Sequence, residues 1–173
     1  MLIRTHDDGE VASEAIYSDC KAYRYSLTRV WDRSSDRLVF VMLNPSVADE
    51  CHNDPTLERC ERRARRWGFG SFRVVNIFAW RATLPAALRK AADPEGPEIA
   101  STLADAVDWG DQIIAAWGVH GAYRGRGAVV AQELAASGKL LFHLGLTQAG
   151  HPRHPLYVPY ARDPERWVLP RSA

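Results

Sequence analysis

The sequence predicts a single three-layer α/β/α domain over residues 1–173, with a central, mostly parallel sheet and an antiparallel edge hairpin. Three observations predict it. Apolar runs of strand length recur at 38–43, 72–77, 112–118 and 139–144, with helical periodicity between them. The runs are continuously apolar, the pattern of strands covered on both faces. Three of the strands deliver Asn44, Asn76 and a histidine-bearing loop where they stop, and open α/β sheets carry their ligands at such strand ends.

In chain order, residues 1–20 read as a polar entry. At 21–31 Tyr23, Tyr25 and Leu27 alternate with Ala22, Arg24 and Ser26 at period two, so a strand is expected, turning at 32–36 to pair with 38–43 as the hairpin. Asp54-Pro55 opens a helix, because aspartate caps and proline suits the first helical position. From 56 to 67, Leu57, Cys60, Ala64 and Trp67 share one face, Arg59, Arg62, Arg63 and Arg66 lie elsewhere, and Gly68 ends the helix. A short helix at 84–91, a helix at 98–109 and another at 126–136 complete the alternation. The tail at 163–167 is expected to pack on the body.

Composition narrows the class. Lys plus Arg number 22 against 21 Asp plus Glu, so net charge favours no particular partner, and only the arginines of 56–67 with Arg73 and Arg81 form a local basic patch able to track phosphates. Glu58 and Glu61, interleaved among them, equally suit a solvated face of ion pairs. No run approaches the roughly 20 apolar residues of a membrane span, and the N-terminus lacks a signal-peptide core, so a cytoplasmic protein without membrane contact is expected. Cys20, Cys51 and Cys60 have no ligand spacing, so they are expected as reduced, partly buried thiols, with no metal and no cofactor.

Asn44-Pro45-Ser46 presents an amide where a buried strand ends; it can orient water or simply cap its own turn. Asp49 is a candidate general base in the same loop, whereas Asp54 is better explained as a helix cap. Asn76 sits inside an apolar strand, so its amide must find partners, either a neighbouring loop or the edge of a base. Phe78 follows as a candidate wall. Trp117-Gly118 precedes a glycine-rich turn whose backbone N–H groups could hold phosphate. His151-Pro152-Arg153-His154-Pro155-Leu156-Tyr157 is the richest cluster, a proline-stiffened loop that holds two imidazoles and a guanidinium at low entropic cost.

In this order the stretches Met42-Leu43-Asn44-Pro45-Ser46, Val74-Val75-Asn76-Ile77, Ala116-Trp117-Gly118 and His151-Pro152-Arg153-His154-Pro155-Leu156 resemble the motifs of the uracil-DNA glycosylase superfamily. The resemblance spans roughly 38–157. The chain is more closely similar to the bacterial domain-of-unknown-function 1643 family, through Asn44-Pro45-Ser46, Asn53-Asp54-Pro55-Thr56, Asn76, Trp117-Gly118 and His154-Pro155-Leu156-Tyr157. The superfamily resemblance implies cleavage of an N-glycosidic bond. Asn44 would orient water, His151 or His154 would donate to the departing base, Asn76 would read its edge, Leu156 would wedge beside a flipped nucleotide and Gly118 would hold phosphate. Ser46 and Val47 stand where uracil-specific members carry a bulky tyrosine, which implies a larger or modified base. The expected partner is therefore nucleic acid or a nucleotide, with a non-catalytic nucleotide-binding module and an enzyme of small nucleosides or nucleotides as alternatives.

Overall fold

The computed structural model describes residues 1–169. Its strands are β1 (Leu2–Asp7), β2 (Ala12–Tyr17), β3 (Arg24–Val30), β4 (Arg37–Met42), β5 (Ser71–Asn76), β6 (Gln112–Ala115), β7 (Leu141–His143) and β8 (Glu165–Arg166). The helices are α1 (Pro55–Arg66), α2 (Pro85–Leu88), α3 (Ile99–Trp109) and α4 (Arg126–Ala136), with 3-10 turns at Val119–Gly125 and Pro155–Tyr157. All eight strands form one sheet in the order β1-β2-β3-β5-β4-β6-β7-β8.

The sheet is mixed and not mostly parallel. Neighbours β5, β4, β6 and β7 run parallel at its centre. The pairs β1/β2, β2/β3, β3/β5 and β7/β8 are antiparallel, so antiparallel pairings prevail. The added hairpin comes from residues expected as a polar entry. In β2 the inward positions are Ser13, Ala15 and Tyr17, a buried face too small and polar to register as apolar alternation.

The expected hairpin between β3 and β4 does not form, because β5 lies between them: Val74 is opposite Leu27 of β3 on one side and Phe40 of β4 on the other. The turn after β3 is built across the entry to β5, with the N–H groups of Trp31 and Asp32 both donating to the Gly70 carbonyl, at 3.0 and 2.9 Å. A side chain at Gly70 would collide with the Asp32 carbonyl oxygen.

Strands of the centre bury both faces. Val39 and Val41 join Leu88, Leu103, Ile113, Val130 and Leu134 in a core under α2, α3 and α4, while Leu38, Phe40 and Met42 join Leu57, Cys60, Ala64 and Phe72 under α1. Helix α1 starts as its sequence dictates: the Asp54 carboxylate accepts the Leu57 N–H at 2.9 Å and Pro55 occupies the first turn. Its arginines are not a phosphate track. Arg63 is completely buried and donates to the carbonyls of Val158, Pro159 and Arg162, at 2.7, 2.9 and 3.1 Å. Arg59 and Arg66 donate to the carbonyls of Val158 and Tyr160, and Arg62 pairs with Glu58. Arg73 lies over the Trp109 ring and Arg81 over Tyr17. The expected basic patch is thus largely spent on intramolecular contacts.

Cys60 is buried, whereas Cys20 and Cys51 are exposed. Among the described residues no helix is long and apolar enough to cross a membrane, and no group of three acidic, histidine or cysteine side chains is placed to hold a metal.

Gly70→Ala tests the strand order. Overpacking of this kind costs about 1–3 kcal/mol, so thermal unfolding should show a clearly lowered Tm. An unchanged Tm would mean that β5 does not enter beneath the 31–36 turn.

Candidate functional site

Beyond the ends of β4, β5 and β6 lies a cavity of about 490 Å3. The β4–β5 pairing continues past the strands through Ile77 N–H to the Met42 carbonyl and Phe78 N–H to the Leu43 carbonyl, at 2.9 and 3.0 Å, which brings Asn44 and Asn76 to the same end of the sheet. Both line the cavity, but their amides are held differently.

Asn44 donates through Nδ2 to the carbonyls of Ala82 and Pro45, at 2.7 and 3.1 Å. Turning the amide over would set Oδ1 against two acceptors, so these bonds fix its orientation and leave the oxygen to accept. Pro45 is buried and does not line the cavity, and its carbonyl also takes the Ala82 N–H. Asn76 is 2% exposed and its Nδ2 has no hydrogen-bond partner among the described residues. Such a buried orphan costs about 1–3 kcal/mol, which an acceptor on a ligand would relieve.

At the end of β6, Trp117 and Gly118 form the next wall. Gly118 has φ +73°, a left-handed backbone that favours glycine, and its N–H donates to the Pro152 carbonyl at 2.8 Å. That bond takes Gly118 out of consideration as a phosphate donor and instead docks the histidine loop. In the following turn a side chain at Gly121 would collide with the Trp117 indole, so this glycine serves the packing of the wall.

His154 lines the cavity and His151 does not. The Leu156 N–H donates to His154 Nδ1 at 3.3 Å, so the neutral ring carries its proton on Nε2. Burial pulls its pKa down to about 4, against a smaller upward pull from Asp54. His154 is therefore an uncharged N–H donor at neutral pH. His151 packs its main chain on Thr147, and Thr147 is part of the wall.

Ser46, Arg153, Leu156 and Tyr157 also line the cavity, with Tyr157, 78% exposed, at its mouth. Besides Pro45 and His151, two more expected residues lie outside the lining. The Asp49 carboxylate accepts the N–H groups of Cys51 and His52, at 2.8 and 2.7 Å, as a cap of its own loop. Phe78 is fully buried against Tyr123 in the core under α2 to α4. Sequence reasoning also set aside two residues that line the cavity. Asp54, taken only as a helix cap, supplies a carboxylate to the wall, and Arg24, read as one member of a strand alternation, is buried in it. The signal for Arg24 was a charge in a segment that the sheet covers on both faces.

Fold and cavity together define a mixed α/β protein with a strand-end pocket lined by two asparagine amides, a neutral imidazole and the charged side chains of Arg24, Asp54 and Arg153. The chain belongs to the family described as "Protein of unknown function (DUF1643)", which matches residues 24–156. No curated protein and no solved structure matches it.

The depressed pKa of His154 has a measurable sign. Between pH 6.5 and 4 the unfolded state binds the proton that the folded state refuses, so this group's contribution to stability falls as pH falls through that window. Wild type should lose roughly 2 kcal/mol relative to His154→Gln between pH 7 and pH 5 in urea unfolding. Parallel losses in the two proteins would place His154 in water.

Proposed function

We propose that this protein is a hydrolase of N-glycosidic bonds that releases a modified or enlarged base from a nucleoside derivative, with a fold related to that of the uracil-DNA glycosylase superfamily. The observation that carries the reading is the neutral, half-buried His154, with Nδ1 occupied and Nε2–H left to donate, in one cavity with the unpartnered amide nitrogen of Asn76. Breaking the bond builds positive charge on the sugar and negative charge on the base. A neutral imidazole N–H stabilises that developing anion without first having to lose a proton.

Asn44 Oδ1, its orientation locked by two carbonyls, accepts a hydrogen bond from the attacking water and aims it. As the water oxygen bonds to the anomeric carbon, the bonding pair leaves on the base nitrogen. The proton shed by the water passes to Asp54, the one carboxylate among the described residues of the wall, and the base is protonated from solvent. Asn76 offers a donor and an acceptor to the edge of the base. Leu156, a partly exposed apolar side chain in the wall, packs on the face of the bound base.

Base release measured by mass spectrometry tests the proposal, using nucleosides, nucleotides and single- and double-stranded DNA carrying uracil, mismatched thymine, deaminated purines and enlarged pyrimidines. Release from at least one substrate is expected, with His154→Ala slower by about 100-fold or more and Asn44→Ala also impaired. Binding that persists in both variants with no base released from any substrate would make the protein a nucleotide-binding module instead.

A further inference from the structure

Arg24 is the most deeply buried charge in the cavity wall, at 2% exposure. Its guanidinium has five N–H donors, and one bond, to the Ala48 carbonyl, is made among the described residues. No carboxylate there forms an ion pair with it; Asp54 acts on it only through longer-range charge, and the Tyr17 phenol, its pKa pushed up to about 12, is neutral. Burial lowers its pKa to about 10, so it remains charged at neutral pH. A buried guanidinium without a carboxylate is expensive unless a ligand supplies the anion.

The rest of the wall has the same bias. It holds the arginines Arg24 and Arg153, the second exposed at the rim with its Nε donating to the Leu146 carbonyl, against one carboxylate among the described residues, that of Asp54, and His154 is uncharged. A neutral nucleoside would leave this excess positive charge unanswered.

We propose that Arg24 receives the terminal phosphate of a free nucleotide, so that the substrate is a nucleoside monophosphate. This rests on the N-glycosidase reading for the reaction but not for the binding. Two arguments favour a terminal phosphate over an internal diester. A diester must continue on both sides, and a guanidinium so deeply covered leaves no path for two flanking nucleotides. The arginines of α1, which would have tracked a polymer backbone, are spent on the carbonyls of 158–162 and on neighbouring glutamates. The planar fork of arginine suits phosphate oxygens, and a cavity of about 490 Å3 is of the size that holds a small ligand.

The test is calorimetric binding of the common ribo- and deoxyribonucleosides, their 5′-monophosphates, inorganic phosphate and a 5′-phosphorylated trinucleotide to the full chain, Arg24→Gln and Arg24→Lys, with thermal unfolding of each variant. At least one monophosphate should bind about tenfold or more tighter than its nucleoside, and inorganic phosphate should displace it. Arg24→Gln should remove the preference while nucleoside binding stays; Arg24→Lys, which keeps a point charge, should retain part of it. If Arg24→Gln fails to fold, the Arg24→Lys loss and the phosphate displacement decide. Equal affinity for nucleoside and monophosphate, a preference that survives Arg24→Gln, or no monophosphate binding would overturn the assignment. A trinucleotide bound more tightly than any monophosphate would overturn the free-nucleotide substrate in favour of a strand end. Arg24-dependent binding without base release would leave this inference standing and remove the glycosidase, and release from nucleosides and monophosphates alike would do the reverse.

Discussion

The site depends on the hydrogen bond between the Gly118 N–H and the Pro152 carbonyl. Strands β4, β5 and β6 deliver two asparagines and a tryptophan by themselves, but the histidine arrives on a loop that must be folded back over the end of β6. The φ of +73° at Gly118 turns its N–H toward that loop, and a Cβ there would lie 3.4 Å from the Cβ of His154. The loop is held on its other side by α1. Arg63, buried and donating to three carbonyls, and Arg59, donating to the first of them, tie 158–162 to the helix. A bridge between Leu146 and Pro152 and the Arg153 N–H to the Gly145 carbonyl close the loop on itself. Preorganised in this way, the imidazole loses little entropy when it meets a ligand.

The same clamp sets the electrostatics. Desolvation of the half-buried His154 keeps its ring neutral, and the Leu156 N–H on Nδ1 chooses which nitrogen donates. Arg24 is buried on the same wall and keeps its charge, because a guanidinium starts from a far higher pKa than an imidazole. One cavity thus holds a neutral donor and a fixed cation, which suits a ligand with a polar edge and an anionic group.

The parts that could be read from the sequence were those decided locally. The central strands were visible as apolar runs because both their faces are covered, α1 because its cap and periodicity lie within a few residues, and α4 from its periodicity. The illegible parts were decided by who arrives from across the sheet. Insertion of β5 between β3 and β4 is a long-range choice, and β2 was hidden because Ser13 and Ala15 form its inward face. Arg63 lay off the apolar stripe by composition, yet the C-terminal segment covers it with carbonyls. Asp49 was the candidate base of its loop and Asp54 only a helix cap, and the structure reverses their places at the cavity. The first turned into its own loop, while the second caps α1 and still reaches the wall.

Asn44 and Asn76 make the same point at the site itself. Each ends a central strand, and their side chains are chemically identical. Ala82 and Pro45 saturate the donors of the first, so it is rigid and presents an oxygen; the second meets no protein partner among the described residues and keeps its unmet donor. Folding stability alone would favour a partner for Asn76 and a carboxylate beside Arg24, since each orphan is costly when buried. Both costs fall in one cavity and both are of the kind a bound ligand removes, which is the physical reason for placing function there and not at the other strand ends of the sheet.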